Sequence, residues 1–172
     1  YFGNPNAIYI NDGTGSYQGG FRFVDNRNDH TSSVAVGDVD KDGDLDVVYG
    51  NYWFQGSSRT NRLHLNDGTG NFVDATASNM PFLDLDDTNA IVMGDIDGDD
   101  DLDIISGNSN ATGGDVNRIY DNDGTGSFTF GAVPRLPWFY QTADLELVDV
   151  DDDDDLDLVE ANSGSFADRQ NR

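Results

Sequence analysis

Three runs of nine residues, each with aspartate at positions 1, 3, 5 and 9 and leucine at position 8, constrain this 172-residue chain more than any other feature. The runs are DVDKDGDLD at 38–46, DIDGDDDLD at 95–103 and DVDDDDDLD at 149–157. Four carboxylates within nine residues repel one another unless a cation lies among them. Hard oxygen donors on a flexible loop suit Ca²⁺, which accepts about six to eight oxygens, better than Mg²⁺ or a thiolate-seeking metal. The runs therefore predict calcium-binding loops.

A second motif, NDGTG, alternates with the acidic runs. It occupies 11–15, 66–70 and 122–126, and each copy is followed by one polar and one aromatic residue. The first aspartates of the acidic runs are 57 and 54 residues apart. Two motifs that alternate three times exclude scattered acidic low complexity. Repeats of about 20–50 residues are typical of solenoids, propellers or arrays, and this period lies just above that range.

Short β-branched and aromatic runs flank both motifs and predict strands rather than helices. In the first whole repeat they lie at 33–37, 45–50, 62–65 and 72–75. The Asn, Asp and Gly residues of NDGTG tolerate the positive φ angles of a tight turn. Four antiparallel strands joined by tight turns form a propeller blade, in which the acidic loop connects the first two strands. We therefore expect an all-β chain of β-propeller blades, with about three repeats of roughly 55 residues.

The sequence resembles the FG-GAP/VCBS family of calcium-binding propeller repeats over nearly its whole length. The first acidic run matches the family loop DxDxDGxxD in full, and NRLHLNDGTGNF at 61–72 is also similar to the family. The resemblance implies about three Ca²⁺ ions, held by carboxylates at loop positions 1, 3, 5 and 9 and by a backbone carbonyl at position 7. The carboxylates would be those of Asp38, Asp40, Asp42, Asp46, Asp95, Asp97, Asp99, Asp103, Asp149, Asp151, Asp153 and Asp157. The carbonyls would be those of Asp44, Asp101 and Asp155.

The second and third loops depart from the family pattern at position 6. Asp100 and Asp154 stand there in place of the glycine found at Gly43. Aspartate tolerates the left-handed backbone conformation better than most residues. We therefore expect both loops to be strained but retained.

Other loop types explain the acidic runs less well. An EF-hand needs glutamate at position 12 and a following helix, whereas Tyr49 and Ser106 stand there in the first two loops. Glu160 has the right spacing in the third loop, but it lies in a run typical of a strand. Dockerin loops are also followed by a helix and repeat at much shorter spacing. A solvated acidic turn without metal remains the alternative for each loop.

The repeat divides the chain into two whole blades with a half-blade at each end. Residues 1–30 would form the last two strands of a blade, 31–80 and 81–135 whole blades, and 136–172 the first two strands of another. Three blades cannot close a ring of the usual four to eight, and each half-blade leaves an unpaired strand edge. We expect either further blades of a longer chain or head-to-tail association of subunits. Such association closes into a ring, with six blades from two chains, or continues as a filament.

Composition excludes several kinds of partner and site. Asp and Glu total 33 against 9 Lys and Arg, a net charge of −24 that argues against nucleic acid and anionic membranes as partners. The chain contains no cysteine, so it has neither a disulfide nor a thiolate metal site. It also has no apolar run long enough to span a membrane. These features fit a secreted or cell-surface protein stabilised by calcium, with one glycosylation sequon at 110–112.

No residues combine into a recognisable catalytic site, so we expect a protein that is not an enzyme. No serine lies in a GxSxG elbow. His64 takes the place that Tyr9 and Tyr120 take in the other repeats, which indicates packing. His30 is expected to be solvated in the connection between blades.

Two aromatic clusters, at 52–54 and 138–140, lie in or near connections. They either fill space between blades or offer a stacking platform for sugar rings. We expect a calcium-stabilised extracellular repeat protein that acts in adhesion or in head-to-tail assembly into a fibre or ring. Its partners would be further blades or copies of itself, and a glycan or an extracellular protein as ligand. The alternative is a carbohydrate-binding, lectin-like module that uses the aromatic loops.

Overall fold

The computed structural model of the chain describes residues 6–22, 29–81, 85–109, 116–131 and 141–163. Regular structure within these ranges consists of twelve strands and one helical turn, α1. The elements are β1 (Ala7–Asn11), β2 (Tyr17–Arg22), β3 (His30–Gly37), β4 (Asp46–Tyr52), β5 (Arg62–Asn66), β6 (Phe72–Asp74), α1 (Thr76–Asn79), β7 (Thr88–Gly94), β8 (Asp103–Asn108), β9 (Arg118–Asn122), β10 (Phe128–Phe130), β11 (Thr142–Val148) and β12 (Asp157–Asn162).

The strands form two four-stranded antiparallel sheets and two antiparallel hairpins. One sheet has the order β3-β4-β5-β6 and the other β7-β8-β9-β10, so neighbours in space are neighbours in the chain. The hairpins are β1-β2 and β11-β12. The predicted all-β fold of four-stranded, blade-like sheets is confirmed, with short strands that end at the acidic loops and at the NDGTG turns.

The first strand of each repeat carries a β-bulge at the same place, where the pairing register shifts by one residue. The bulged residue joins one repeat to the next: the Ser32 hydroxyl donates to the Thr88 carbonyl at 2.5 Å, and Asn89 Nδ2 donates to the Thr142 carbonyl at 2.7 Å. The shifts lie between Thr31 and Ser33, between Thr88 and Ala90, and between Thr142 and Asp144.

The hydrophobic core lies between successive sheets. Leu63 of the first sheet and Ile104 and Tyr120 of the second are fully buried in one cluster. Gly50 allows the two sheets to approach closely. A Cβ at Gly50 would lie 2.8 Å from Cγ2 of Thr88 and 2.9 Å from Cγ1 of Ile91, too close for a real contact, so a side chain there would force these β7 side chains to move.

The helical turn α1 was not predicted, and the fourth strand of the first sheet ends one residue earlier than expected. The Ala75 amide still donates to the Leu63 carbonyl at 2.9 Å. The buried Thr76 hydroxyl then accepts the Leu63 amide at 3.1 Å. The backbone carbonyl and amide of Leu63 are therefore both hydrogen-bonded at the end of the sheet. A further residue of the fourth strand is not needed to pair them.

The predicted solvated position of His30 is wrong. His30 begins β3 and is half-buried, with its ring 4.8 Å from that of Phe54 and 5.8 Å from that of Tyr52. His64 packs as predicted: it is buried, with its ring edge-on to Tyr49 at 5.6 Å.

Some predictions fall outside the described residues, namely those on the sequon at 110–112 and on the aromatic cluster at 138–140. In the part of the chain that is described, no helix has the length and apolar character needed to cross a membrane.

Candidate metal centre

The acidic runs form the three loops that join the first two strands of each repeat, β3 to β4, β7 to β8 and β11 to β12. Each loop gathers three carboxylates whose oxygen atoms lie within 4.8 Å of one another. In the first two loops these belong to positions 1, 3 and 5, and in the third loop to positions 1, 3 and 9. The groups are Asp38, Asp40 and Asp42; Asp95, Asp97 and Asp99; and Asp149, Asp151 and Asp157.

The carboxylate at position 1 accepts hydrogen bonds from later residues of its loop, so the backbone folds around this carboxylate. Asp38 accepts the amides of Asp42 at 3.2 Å and of Gly43 at 3.0 Å. Asp95 and Asp149 accept the amides of positions 5 and 6 in the same way. These bonds hold the position 1 oxygens toward the centre of the loop, where the other carboxylates converge.

Position 6 adopts the left-handed conformation in all three loops. This was expected, because Asp100 and Asp154 align with Gly43 and aspartate tolerates this conformation. The φ angle is +94° at Gly43, +69° at Asp100 and +73° at Asp154. Position 4 is left-handed as well, which was not predicted, at Lys41 (+60°), Gly98 (+80°) and Asp152 (+61°). Each loop therefore contains two left-handed residues, at positions 4 and 6. Glycine relieves the backbone strain at one of these positions in the first two loops and at neither in the third.

Position 9 anchors the loop to its sheet. Asp46 is fully buried and accepts the Val39 amide at 3.0 Å and the Asn66 amide at 2.8 Å. Asp103, equally buried, accepts the Asn122 amide at 2.9 Å and an amide from its own loop. Burial raises the pKa of both carboxyls, and their amide bonds act in the opposite direction.

Asp157 of the third loop is placed differently from its two counterparts. Its carboxylate accepts the Val150 amide at 3.0 Å. In the described part of the chain, no asparagine amide of an NDGTG turn donates to it. Its carboxylate lies with those of Asp149 and Asp151. In this loop, position 9 therefore belongs to the group of converging carboxylates.

Position 7 was predicted to supply a backbone carbonyl, and that role stays a prediction. Its side chain instead connects the loop to the NDGTG turn of the same sheet. The carboxylate of Asp44 lies against Gly68, and that of Asp101 lies against Gly124. Asp101 also pairs with Lys41 of the preceding acidic loop, which links neighbouring repeats.

The asparagine of NDGTG is a positioning residue that was not predicted from the sequence. Besides the backbone bonds to position 9, Asn66 Nδ2 donates to the Leu45 carbonyl at 3.2 Å. Asn122 Nδ2 donates to the Leu102 carbonyl at 3.1 Å and to the Val39 carbonyl of the preceding loop at 2.8 Å. The signal was the recurrence of asparagine in every hairpin, which was attributed to turn geometry alone.

The charges of the loops suit a hard divalent cation. Partial desolvation raises the pKa of Asp40 and Asp97, and the nearby carboxylates of Asp42 and Asp99 raise it further. The Asp154 amide, with other loop amides, lowers the pKa of Asp149. A cation among these oxygens would remove the mutual repulsion, and the all-oxygen donor set matches Ca²⁺.

The remaining predicted ligands lie in the same loops. Asp153 is exposed, and its carboxylate accepts the position 7 amide at 3.1 Å. The corresponding bonds of Asp42 and Asp99 measure 2.9 and 3.0 Å. Position 5 therefore has the same local role in every loop, whether or not it belongs to the carboxylate group.

Of the aromatic residues at 52–54, two are largely exposed. Trp53 is 53% exposed and Phe54 42%, while Tyr52 ends β4. The Trp53 amide donates to Asp87 Oδ1 at 2.7 Å, which fixes the backbone of this connection. About half of each of these two side chains is therefore in contact with solvent.

Comparison with known families agrees with the geometry. The FG-GAP repeat model matches residues 30–65, and the FG-GAP-like repeat model matches 52–106 and 101–160. No curated protein matches the chain. FG-GAP repeats occur in adhesion and integrin-like proteins, which are commonly extracellular or surface-associated. Because the FG-GAP-like matches together cover more than half of its length, the chain belongs to the FG-GAP-like repeat family.

Proposed function

We propose that this chain is a non-enzymatic, calcium-stabilised propeller module of an extracellular protein, acting in adhesion or in head-to-tail assembly. The observation that carries the proposal is the convergence of three carboxylates within 4.8 Å in each of three equivalent loops. Such a group is unfavourable without a cation and is the donor set that calcium prefers.

Calcium would have a structural role in this proposal. The ligands would be the carboxylates of positions 1, 3, 5 and 9 and the carbonyl of position 7 in each loop. With free metal at a hundred times Kd, each site would add about 2.7 kcal/mol to the free energy of unfolding. Extracellular calcium modules work with Kd values of about 10⁻⁴–10⁻³ M, which suits a calcium-rich medium.

The test is calorimetric titration and thermal unfolding in chelator, in Mg²⁺ and in Ca²⁺. We expect about three Ca²⁺ ions to bind and the melting temperature to rise with calcium and much less with magnesium. A chain that unfolds identically in chelator and in millimolar Ca²⁺ would refute the metal role.

Two variants of the second loop separate ligation from charge. Asp97→Asn removes a carboxylate of the converging group, whereas Asp100→Asn removes the same charge from position 6, outside that group. We expect D97N to weaken binding at this loop at least about tenfold, since a ligand is lost. D100N should change affinity only slightly, because solvent screens an exposed charge. Equal effects would contradict the assigned ligand set.

Sugar binding is a second candidate, favoured by the exposure of Trp53 on a connection fixed by Asp87. An exposed indole offers a flat apolar face on which a sugar ring can stack. Titration of neutral glycans while Trp fluorescence is followed tests this candidate, with Trp53→Ala as the control. A signal that is unchanged by saturating glycan would argue against it.

A further inference from the structure

Asp101, at position 7 of the second acidic loop, is a buried carboxylate whose partner comes from another repeat. It is only 7% exposed, and a Cβ at Gly124 would lie 2.6 Å from its Oδ2. Among the described residues, the one partner of its buried Oδ1 is the ammonium of Lys41, at position 4 of the first loop. A buried charge is costly unless it is paired. The second loop therefore depends on a cation that the first loop supplies.

The backbone that carries Lys41 is held against the second sheet. The Val39 carbonyl accepts a hydrogen bond from Asn122 Nδ2 at 2.8 Å, and a Cβ at Gly126 would lie 3.2 Å from the Cβ of Asp40. Both contacts are with the NDGTG turn of the next repeat. Lys41 itself adopts the left-handed conformation, with a φ of +60°. The first loop is thus fixed where the lysine side chain can reach the second loop.

Lys41 is the only basic residue in the three acidic runs, and its counterparts at position 4 are Gly98 and Asp152. The other ion pairs within the described residues are made by arginines with aspartates outside the runs. After Asp101, the carboxylates of Asp100 and Asp99 also act electrostatically on the ammonium. Asp99 belongs to the converging group of the second loop. The lysine charge is therefore part of the electrostatics of that loop.

We propose that Lys41 is the internal counter-ion of the second acidic loop, where its charge stabilises the loop without metal and opposes the binding of Ca²⁺. This inference rests on the calcium role proposed above and adds a residue that sets the affinity of one site. Two cations near the same carboxylates repel each other, and at low ionic strength this repulsion extends over about 10 Å or more. The second loop should therefore bind Ca²⁺ less tightly than its six aspartates alone would allow.

An ion pair with a purely structural role is the alternative. Such a pair would join the two repeats, and its loss would loosen position 7 and leave calcium affinity unchanged or lower. The counter-ion role predicts the opposite sign. Loss of the lysine charge should strengthen calcium binding at the second loop, although it destabilises the protein without metal. The direction of the change in affinity therefore distinguishes the two roles.

Calcium titration followed by NMR tests this direction, because the amides of Gly43 and Gly98 report the first and second loops separately. At low ionic strength, we expect Lys41→Gln to lower the dissociation constant measured at Gly98 about three- to tenfold. The control Lys41→Arg keeps the charge and should leave this constant within about twofold of the parent. The change at Gly43 should be smaller, because the ammonium pairs with the second loop. An unchanged or raised constant at Gly98, or a larger change at Gly43, would overturn the proposal.

Asp101→Asn tests whether the lysine acts through this contact. Asparagine keeps the size of the side chain and the backbone carbonyl that is the predicted ligand. Without the carboxylate, the ammonium is no longer held at the second loop. Adding K41Q to D101N should therefore change the dissociation constant at Gly98 by less than about twofold. If K41Q strengthens binding by the same factor in both backgrounds, the charge does not act through Asp101 and the assigned contact is wrong.

Urea unfolding in chelator tests the stabilising half of the proposal without metal. K41Q should unfold at a lower urea concentration than the parent, because it leaves a buried carboxylate unpaired, and K41R should recover most of the loss. The double variant K41Q/D101N should unfold at a higher urea concentration than K41Q, because the unpaired charge is gone. Additive losses, or a K41Q variant as stable as the parent, would refute the counter-ion role.

The two measurements keep this inference separate from the proposed calcium function. If Ca²⁺ leaves the Gly98 resonance of the parent unmoved, the metal role fails at this loop, and the comparison in chelator decides whether Lys41 stabilises it. If Gly98 responds to Ca²⁺ identically in the parent and in K41Q, the metal role stands and this inference fails. Tighter binding by K41Q together with its lower stability in chelator supports both.

Discussion

Replacement of Gly43 by alanine measures the backbone strain built into position 6 of the acidic loops. Gly43 has φ +94°, and a Cβ built there meets no heavy atom within 4 Å. The loss on substitution is therefore conformational rather than steric. An L-residue in the left-handed region costs about 1–2 kcal/mol, and alanine recovers about 0.4–1 kcal/mol by restricting the unfolded chain. The net loss should be about 1 kcal/mol, or about 2–4 °C in melting temperature.

The reverse substitution at Asp100 provides the matched control. Asp100→Ala and Asp100→Gly both remove the charge, but only the alanine variant keeps a Cβ at a φ of +69°. D100G should therefore be more stable than D100A by about the same 1 kcal/mol, since the backbone conformation is shared with Gly43.

Urea unfolding in chelator is the first assay for both pairs, because no metal then adds to the differences. It should be repeated in millimolar Ca²⁺, where each pair should keep its order. The reasoning is refuted if G43A unfolds at the same urea concentration as the parent while D100G is no more stable than D100A.

Two further predictions concern the NDGTG turns. Hydrogen bonds from Thr69 and then Asn71 lower the pKa of Asp67 to about 2, and Asn71→Ser, which copies the other two turns, should raise it in an NMR titration. Because the folded-state pKa is depressed, the stabilisation from Asp67 is present above its unfolded value and is lost as pH falls toward 2. Asn122→Ala should lower the free energy of unfolding by about 1–3 kcal/mol more than Asn66→Ala, since only N122A leaves a buried carbonyl of the preceding loop unpaired. Equal losses in urea would contradict this role of Asn122.

The sequence was most informative where the backbone needs a particular residue type. The left-handed conformation of Asp100 and Asp154 followed from their alignment with a single glycine, and the structure has it at both. The four-stranded sheets followed from short apolar runs between two recurrent turns. Both inferences rest on local steric rules, which act within a few residues of the chain.

Features that depend on contacts between distant residues were missed. The ion pair between Lys41 and Asp101 joins two acidic loops across 60 positions of the chain and was not predicted. His30 was expected in solvent, yet its ring packs on that of Phe54, which follows the neighbouring strand β4. The asparagine bonds to the acidic loops were missed for the same reason, since they join residues about 20 or more positions apart.

The alternation of the two motifs has a physical cause in the position 9 carboxylate. Asp46 accepts one amide from the start of its own loop and one from the asparagine of the hairpin. The first and second acidic loops are therefore each one structural unit with the NDGTG turn that follows, although about 20 residues separate loop and turn. Asn122 extends this unit to the preceding repeat through the Val39 carbonyl. A cation that holds the first loop closed would thus also stabilise the contact between the two sheets, so we expect calcium to act on blade packing as well as on the loop.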